Sequence, residues 1–223
     1  MRVPLWFDAG ASWLFGVACP TCAAPTWSVC DMCRAVLADP SPRRVPGDVR
    51  VVAAQEYAGV WRQAVIAVKE RSARSLVKPL GEALAVAVAE LVAGTTHVGG
   101  PLQLVPMPSA PSAVRARGLD STLMITRRVA AVLTEERWVV TVAPRLRHVR
   151  RVRDQSGLSG NQRRANLAGA LSASRLAGPT VVIDDLVTTG ASVQEAVRAL
   201  SAGGANMIGA ATLCAVGTAN RAG

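Results

Sequence analysis

One short segment, Val181 to Ser192, combines residue types that bind anions with residue types that bind hydroxyl groups. It reads Val-Val-Ile-Asp-Asp-Leu-Val-Thr-Thr-Gly-Ala-Ser, so two adjacent carboxylates follow an apolar run and precede a tight turn and a helix. Free backbone amides at such a turn attract an anion, and threonine and serine hydroxyls add further donors. Carboxylates repel phosphate but accept hydrogen bonds from a vicinal diol. The segment therefore predicts a site for a ribose that carries a 5′-phosphate.

Other interpretations share parts of this pattern. A P-loop requires GxxxxGK[ST], but neither Lys69 nor Lys78 follows a glycine, and a dinucleotide site requires a GxGxxG run that the sequence lacks. Asp184 and Asp185 could also simply cap a helix behind a core strand. Capping explains one acid or one threonine but not the whole set, so this interpretation stays open as the weaker one.

Four of the five cysteines form two CxxC pairs separated by seven residues, namely Cys19, Cys22, Cys30 and Cys33. Each pair places two sulfurs on a tight turn, and four thiolates around Zn²⁺ form the usual closed structural site. The pattern predicts structural zinc with no open position for catalysis. Binding of Zn²⁺ by four thiolates would change the formal net charge from +10 to about +8.

The alternative for these cysteines is a pair of disulfides, which would require an oxidising compartment. A stretch ending at Cys19 is similar to the end of a lipoprotein signal, but Gly16 replaces the usual leucine and Asp8 interrupts the apolar region. The richest apolar stretch, Ala83 to Ala93, is short and contains Glu90, so we expect no transmembrane segment. We predict a cytoplasmic location with reduced thiols.

The composition indicates a globular chain, since 50% of its 223 residues are apolar and only 18% are charged. Residues 39–50 contain three prolines and predict a linker between a zinc-ribbon-like module at 1–38 and an α/β domain at 51–218. Strand-like and helix-like segments alternate after the linker, which is typical of a parallel sheet covered on both faces. Predicted strands lie at 51–54, 102–105, 138–142, 180–183 and 207–216, and predicted helices at 60–69, 76–92, 123–133 and 191–202.

The charge balance of 25 basic against 15 acidic residues favours a polyanionic partner, either nucleic acid or a phosphorylated small molecule. Composition does not choose between them. Residues 145–166 begin with five arginines between 145 and 153, which predicts a mobile basic loop near an anionic ligand or, alternatively, a solvated loop. His148 lies among these arginines, and we expect it to face solvent rather than to act as a base.

Taken together and in order along the chain, these motifs resemble the ComF-type competence proteins, which belong to the type I phosphoribosyltransferase superfamily. The resemblance covers nearly the whole chain. It rests on the double CxxC, Tyr57-Ala58-Gly59 followed by Lys69, Val105-Pro106-Met107-Pro108, Arg115-Ala116-Arg117-Gly118, the run from Gln155 through Ser159 to Arg163 and Asn166, and Asp184 to Ser192.

The resemblance implies a type I phosphoribosyltransferase-like parallel sheet flanked by helices, with a small amino-terminal zinc ribbon built on the four cysteines. It further implies a site for 5-phosphoribosyl 1-pyrophosphate with Mg²⁺. By this analogy Asp184 and Asp185 hold the ribose hydroxyls, and Arg115 and Arg117 are candidate contacts to pyrophosphate. The residues that would wrap the 5′-phosphate are Thr188, Thr189, Gly190, Ala191 and Ser192.

Two departures from the resemblance concern catalysis. Thr188 stands where purine-salvage relatives often carry an aspartate that handles the nucleobase proton, so no catalytic base is predicted. Asp120 replaces an expected asparagine and is assigned no role.

Two functions fit the resemblance. The first is phosphoribosyl transfer to an unidentified acceptor with release of pyrophosphate. The second is a non-catalytic accessory role in DNA uptake during natural transformation, with contacts to single-stranded DNA or DNA-uptake proteins. A homo-oligomer stays open.

Overall fold

A computed structural model of the chain describes residues 17–93, 95, 100–150 and 166–217. Residues 1–16 of the predicted module, most of the predicted basic loop (151–165) and residue 218 lie outside these ranges. The described helices are α1 (Asp31–Leu37), α2 (Gly59–Glu70), α3 (Val77–Ala93), α4 (Pro111–Arg117), α5 (Ser121–Glu135) and α6 (Ala191–Ala202), with a 3₁₀ turn at Arg74–Leu76. The strands are β1 (Arg43–Val45), β2 (Val51–Glu56), β3 (Leu102–Pro106), β4 (Val140–Val142), β5 (Leu146–His148), β6 (Leu171–Ala173), β7 (Pro179–Val187) and β8 (Asn206–Ala215).

The main sheet has six strands in the order β1-β2-β8-β7-β3-β4, and all neighbours except β1 and β2 run parallel. β7 and β3 read as nearly continuous apolar runs because helices bury both of their faces. The predicted parallel α/β architecture is confirmed. β5 and β6 form a separate antiparallel hairpin.

The predicted linker contains one regular element, the three-residue strand β1, which pairs antiparallel with β2 at the edge of the sheet. Pro42 and Pro46 lie on either side of it and prevent a longer strand. A proline-rich segment can therefore cover the sheet edge without supplying a central strand.

Two buried clusters fill the two faces of the sheet. Successive residues of β7 alternate between them, since Val181 and Ile183 belong to the cluster under α3 and α5, and Val182 belongs to the cluster under α6. This alternation follows from the two-residue period of a strand. Helix α5, between β3 and β4, and helix α6, between β7 and β8, thus cover opposite faces.

The chain changes direction across the sheet between β3 and β7. From β3 the chain crosses outward to β4, whereas from β7 it crosses the other way to β8. Ligands bind at such switch points, outside the carboxyl ends of parallel strands. The topology alone therefore points to the space next to the end of β3.

None of the helices in the described ranges has the length and apolar content needed to cross a membrane.

Candidate functional site

The site forms where β3 ends but β7 continues. β3 pairs with β7 as far as Pro106 opposite Ile183, and the Met107 amide donates to the Ile183 carbonyl at 2.8 Å. β7 runs on to Val187 beside β8. The next two residues of β7, Asp184 and Asp185, therefore have no β3 neighbour, and they border a cavity of about 490 Å³.

The two carboxylates are held close together and are largely shielded from water. Asp185 is only 7% exposed, and its backbone amide donates to Asp184 Oδ1 at 2.9 Å. Burial and, secondarily, the negative charge of Asp185 raise the pKa of Asp184 to about 7. Asp184 therefore gains or loses its proton near neutral pH.

Lys69, in the last turn of α2, forms an ion pair with the acid pair. Its Nζ lies 2.9 Å from Asp185 Oδ1 and 2.8 Å from Asp185 Oδ2. Burial lowers the pKa of Lys69, but the attraction of Asp185 outweighs it and holds that pKa above its usual value. Lys69 also lines the cavity, so the site contains a fixed cation beside its two acids.

The Thr-Thr-Gly turn joins β7 to α6 in the predicted way. Gly190 has φ 74°, a left-handed conformation that glycine adopts readily, and α6 begins at Ala191. Gly190 offers no side chain to cap the first-turn amides. Ser192 lines the cavity, whereas Thr188 and Thr189 are exposed and lie outside its wall.

The two predicted arginines lie in neighbouring spaces. Arg117 lines the acid-pair cavity, donates to the Lys69 carbonyl through Nη1 at 2.7 Å, and has a buried Nε without a hydrogen-bond partner. Arg115 is exposed and lines an adjoining cavity of about 790 Å³ together with His148 and Arg150. His148 lines both cavities, and its Nε2 lies 3.0 Å from the Pro108 carbonyl.

Sequence reasoning missed several residues of the cavity wall. Lys69 is 116 positions from Asp185 in the sequence. From the sequence, Lys69 was named only as part of a motif that resembles a known family, and not as a partner of Asp185. His148 is exposed, as predicted, but it faces the cavity. Asp120 caps α5 and accepts from the hydroxyl of Ser109, a wall residue, at 2.9 Å. An aspartate directly before a helix, three residues ahead of the amide that it caps, was the local sequence signal for this cap.

Glu195 also lies in the wall, although its carboxylate is engaged elsewhere. Its Oε1 accepts from the Leu171 amide at 3.0 Å and from Arg198 Nη2 at 2.8 Å. Arg198 Nη2 in turn donates to the Leu171 carbonyl at 2.9 Å. The pair thus binds both backbone groups of Leu171 and fastens the β5–β6 hairpin to α6.

The four predicted metal-ligand cysteines come together in one cluster. The sulfurs of Cys19, Cys22, Cys30 and Cys33 all lie within 4.8 Å of one another, and all four are free thiols, which does not support the disulfide alternative. Four sulfurs at about 2.3 Å from a tetrahedral zinc would be about 3.8 Å apart, so the cluster fits a Zn²⁺-sized ion. Its geometry is compatible with a zinc ribbon.

Local structure explains how the cluster forms. Ala18 bridges Pro25, the Cys19 amide donates to the Ala24 carbonyl at 2.8 Å, and these bonds close the first CxxC turn. Cys30 caps α1, with its sulfur accepting from the Cys33 amide.

The thiols of the cluster differ in acidity. Burial acts to raise the pKa of Cys19, but hydrogen bonds from Thr21 and backbone amides lower it to about 5. Burial and the neighbouring thiols raise the pKa of Cys33 to about 12. Four thiolates at this distance require a bound cation to offset their repulsion.

The doubly wound sheet, the crevice at the end of β3 and the acid pair followed by a Thr-Thr-Gly turn form an α/β domain with a candidate ligand site at its strand ends. In a comparison with protein families, residues 120–222 match the family model described as phosphoribosyl transferase domain. This match supports the type I phosphoribosyltransferase superfamily and covers slightly less than half of the chain. A comparison with curated proteins found no match.

Proposed function

We propose that the protein is a ComF-like phosphoribosyltransferase that binds 5-phosphoribosyl 1-pyrophosphate with Mg²⁺ and transfers the phosphoribosyl group to an acceptor, with release of pyrophosphate. The observation that carries this proposal is the pair Asp184 and Asp185 at the open edge of β7, beside the uncapped start of α6. A ribose 5-phosphate carries a diol and a phosphate, and these are the groups that an acid pair and a helix start can bind.

In this proposal the acid pair binds the ribose. An ionised carboxylate offers acceptors for both the 2′- and the 3′-hydroxyl, and Asp185 also forms an ion pair with Lys69 at 2.8 Å. The amides from Thr188 to Ser192 bind the 5′-phosphate, aided by the positive end of the α6 dipole. Mg²⁺ arrives with the substrate and neutralises part of its pyrophosphate charge.

The transfer step breaks the bond between ribose C1 and a pyrophosphate oxygen and forms a bond from C1 to the acceptor, whose proton leaves to solvent. Negative charge grows on the departing pyrophosphate. Arg117, with its unpartnered Nε in the cavity wall, and Arg115 in the adjoining cavity are the cations placed to stabilise that charge. The described residues offer no assigned base for the acceptor.

The site also suggests where the reaction takes place. The four cysteines bind a metal only while reduced, so a cytoplasmic location suits the proposal.

Isothermal titration of 5-phosphoribosyl 1-pyrophosphate with Mg²⁺ into the zinc-loaded protein tests the binding part of this proposal. We expect Asp184→Asn combined with Asp185→Asn to weaken binding at least about tenfold, since hydrogen bonds to a charged group contribute about 1.5–3 kcal/mol each. Asp39→Asn is the matched control, because Asp39 is exposed and lies outside the wall of the acid-pair cavity. Equal binding by the parent and the double variant would refute the assignment of the acid pair.

A second candidate function, binding of single-stranded DNA, is favoured by one specific observation. The wall of the 790 Å³ cavity contains Arg115, His148 and Arg150 but no carboxylate among the described residues, and Arg145 and Arg147 are exposed on the segment just before His148. Counterion release predicts affinity that falls steeply with salt. Fluorescence anisotropy of a labelled oligonucleotide should show a shallower salt slope for Arg115→Ala; salt-independent binding would exclude this function.

A further inference from the structure

Lys69 stands where three parts of the molecule meet. Its side chain binds Asp185 on β7, its carbonyl accepts from Arg117 Nη1 on α4 at 2.7 Å, and its backbone closes the last turn of α2. The position of its ammonium group therefore depends on how that last turn is held.

The last turn of α2 is fastened to the four-cysteine cluster. Arg71, two residues after Lys69, donates through Nη2 to the Pro20 carbonyl at 2.8 Å, and Pro20 lies between Cys19 and Cys22. The buried residues of the cluster also pack into the same apolar core as α2. That shared core includes Cys19, Val29, Cys33 and Leu37 from the cluster region and Val65 and Val68 from α2.

The chain between α2 and the next helix is strained, so it needs such restraints. Ser72 has φ 55°, a left-handed conformation that is unfavourable for a residue with a side chain. Its hydroxyl donates to the Arg117 carbonyl at 3.2 Å. Ser72 directly follows Arg71, whose side chain donates to the Pro20 carbonyl within the first CxxC pair.

We infer that Arg71 is a positioning residue through which the four-cysteine cluster holds Lys69 against the acid pair, so that a metal ion in the cluster tightens ligand binding in the cavity. The cluster and the cavity are then parts of one binding machinery. This inference rests on the proposed function for its ligand, but the contacts of Arg71 with Pro20 and of Lys69 with Asp185 exist without any ligand.

Two readouts test the inference separately. The first is the affinity for 5-phosphoribosyl 1-pyrophosphate with Mg²⁺, measured by titration calorimetry with Arg71→Ala, Arg71→Lys and Arg74→Ala. Arg74 is the matched control, since it is exposed on the same segment and its side chain makes no hydrogen bond or ion pair with other described residues. The second is the pKa of Asp184, followed by carbon NMR without ligand, because Lys69 helps to lower that pKa.

We expect Arg71→Ala to weaken ligand binding about two- to fivefold, as befits the loss of one exposed hydrogen bond, and to raise the pKa of Asp184. Arg71→Lys should show smaller changes in both the affinity and the pKa of Asp184. Removal of the metal by a chelator should reproduce the changes of Arg71→Ala in the parent protein. Arg74→Ala should change neither.

The outcomes separate the inference from the proposed function. If the parent binds no 5-phosphoribosyl 1-pyrophosphate but Arg71→Ala and metal removal still raise the pKa of Asp184, the link holds and the proposed function fails. If Arg71→Ala and metal removal leave that pKa where Arg74→Ala leaves it, the link is overturned, whatever the protein binds.

Discussion

At the residue scale, the partly buried Asp184 makes the stability of the protein depend on pH. Its pKa lies at about 7 in the folded chain against 3.8 for a free side chain. Between these values the folded state binds more protons than the unfolded state, so the free energy of unfolding falls as pH rises from about 4 to 7. The acidic and basic side chains that share the cavity wall with Asp184 are those of Lys69, Glu70, Arg117, His148, Asp185 and Glu195.

We predict that Asp184→Asn stabilises the ligand-free protein above pH 7, because the amide carries no charge to desolvate. The melting temperature at pH 8 should rise by about 4 °C or more, and the gain should shrink as pH falls through 4 and approach zero below about pH 3, where Asp184 is protonated in both states. Calorimetric melting of both proteins across this pH range checks it. A gain that is the same at pH 4 and pH 8 would contradict the raised pKa.

The acid pair and its turn could be found from sequence because they are contiguous, from Asp184 to Ser192. Lys69 could not be placed, because it reaches Asp185 only after α2 and β7 have packed. Local patterns carry no information on such a distant ion pair. The roles of Asp120 and Glu195 were missed for a similar reason, since each binds a backbone or hydroxyl group on another segment.

At the element scale, the β5–β6 hairpin depends on a side-chain pair rather than on a third strand. Glu195 is buried, with its side chain 4% exposed, and with Arg198 it binds the amide and the carbonyl of Leu171. In this way α6 holds the hairpin in place, and His148, the last residue of β5, lies in the cavity wall.

We predict that Glu195→Ala lowers the free energy of unfolding by about 2–3 kcal/mol, because it leaves a buried amide unpaired. Hydrogen exchange of the Leu171 amide should become faster in the variant. Gln194→Ala serves as the control, since Gln194 makes only an exposed hydrogen bond to Asp48. Similar destabilisation by both variants would show that the hairpin does not rely on Glu195.

A β-bulge in β8 has a strict requirement for glycine. Val181 pairs with Gly209 while the preceding Thr180 pairs with Met207, and Gly209 has φ 152°. A Cβ there would lie 2.3 Å from the Arg50 carbonyl oxygen, which accepts from the Ala210 amide. The backbone before β2 would have to move to admit any side chain.

Gly209→Ala is therefore expected to destabilise the protein by about 2 kcal/mol or more. Gly47→Ala is a close control, because Gly47 has φ 155° but open space around its Cβ position. Denaturant unfolding of the two variants should show the larger loss for Gly209. Equal losses would attribute the effect to backbone conformation alone.

Most elements of the sheet were predictable because apolar strands and amphipathic helices alternate after residue 50. The helix predicted at 191–202 is confirmed as α6, Ala191–Ala202. β7 extends four residues beyond its predicted end at 183, because β8 continues to pair with it after β3 has ended. The pairing of strands across the sheet has no local signal, so neither this extension nor the strand order could be derived.

At the scale of the whole molecule, the four-cysteine cluster is part of the main core rather than an appendage. Cys19 and Cys33 are buried in the cluster that also contains Trp61 of α2 and Leu80 of α3. The predicted boundary between a module ending at 38 and a domain starting at 51 stays a prediction. Because the two parts share a core, a change that loosens the packing of one part is expected to lower the stability of the other.

We predict that the protein binds one Zn²⁺ and that Cys33→Ser loses it and lowers the melting temperature. Elemental analysis and thermal melting check this. Cys214→Ala is the control, since Cys214 is buried in β8, outside the cluster. Retention of a full equivalent of zinc by Cys33→Ser would exclude the cluster as the metal site.

The strand order also bears on how the chain can fold during its synthesis. β8, at residues 206–215, lies between β2 and β7, so the first strand of the parallel sheet gains its neighbour only after residue 215 has left the ribosome. Until then β2 exposes an unpaired edge to other nascent chains, with only the short β1 on its other side. We expect chaperone dependence to concentrate in this interval.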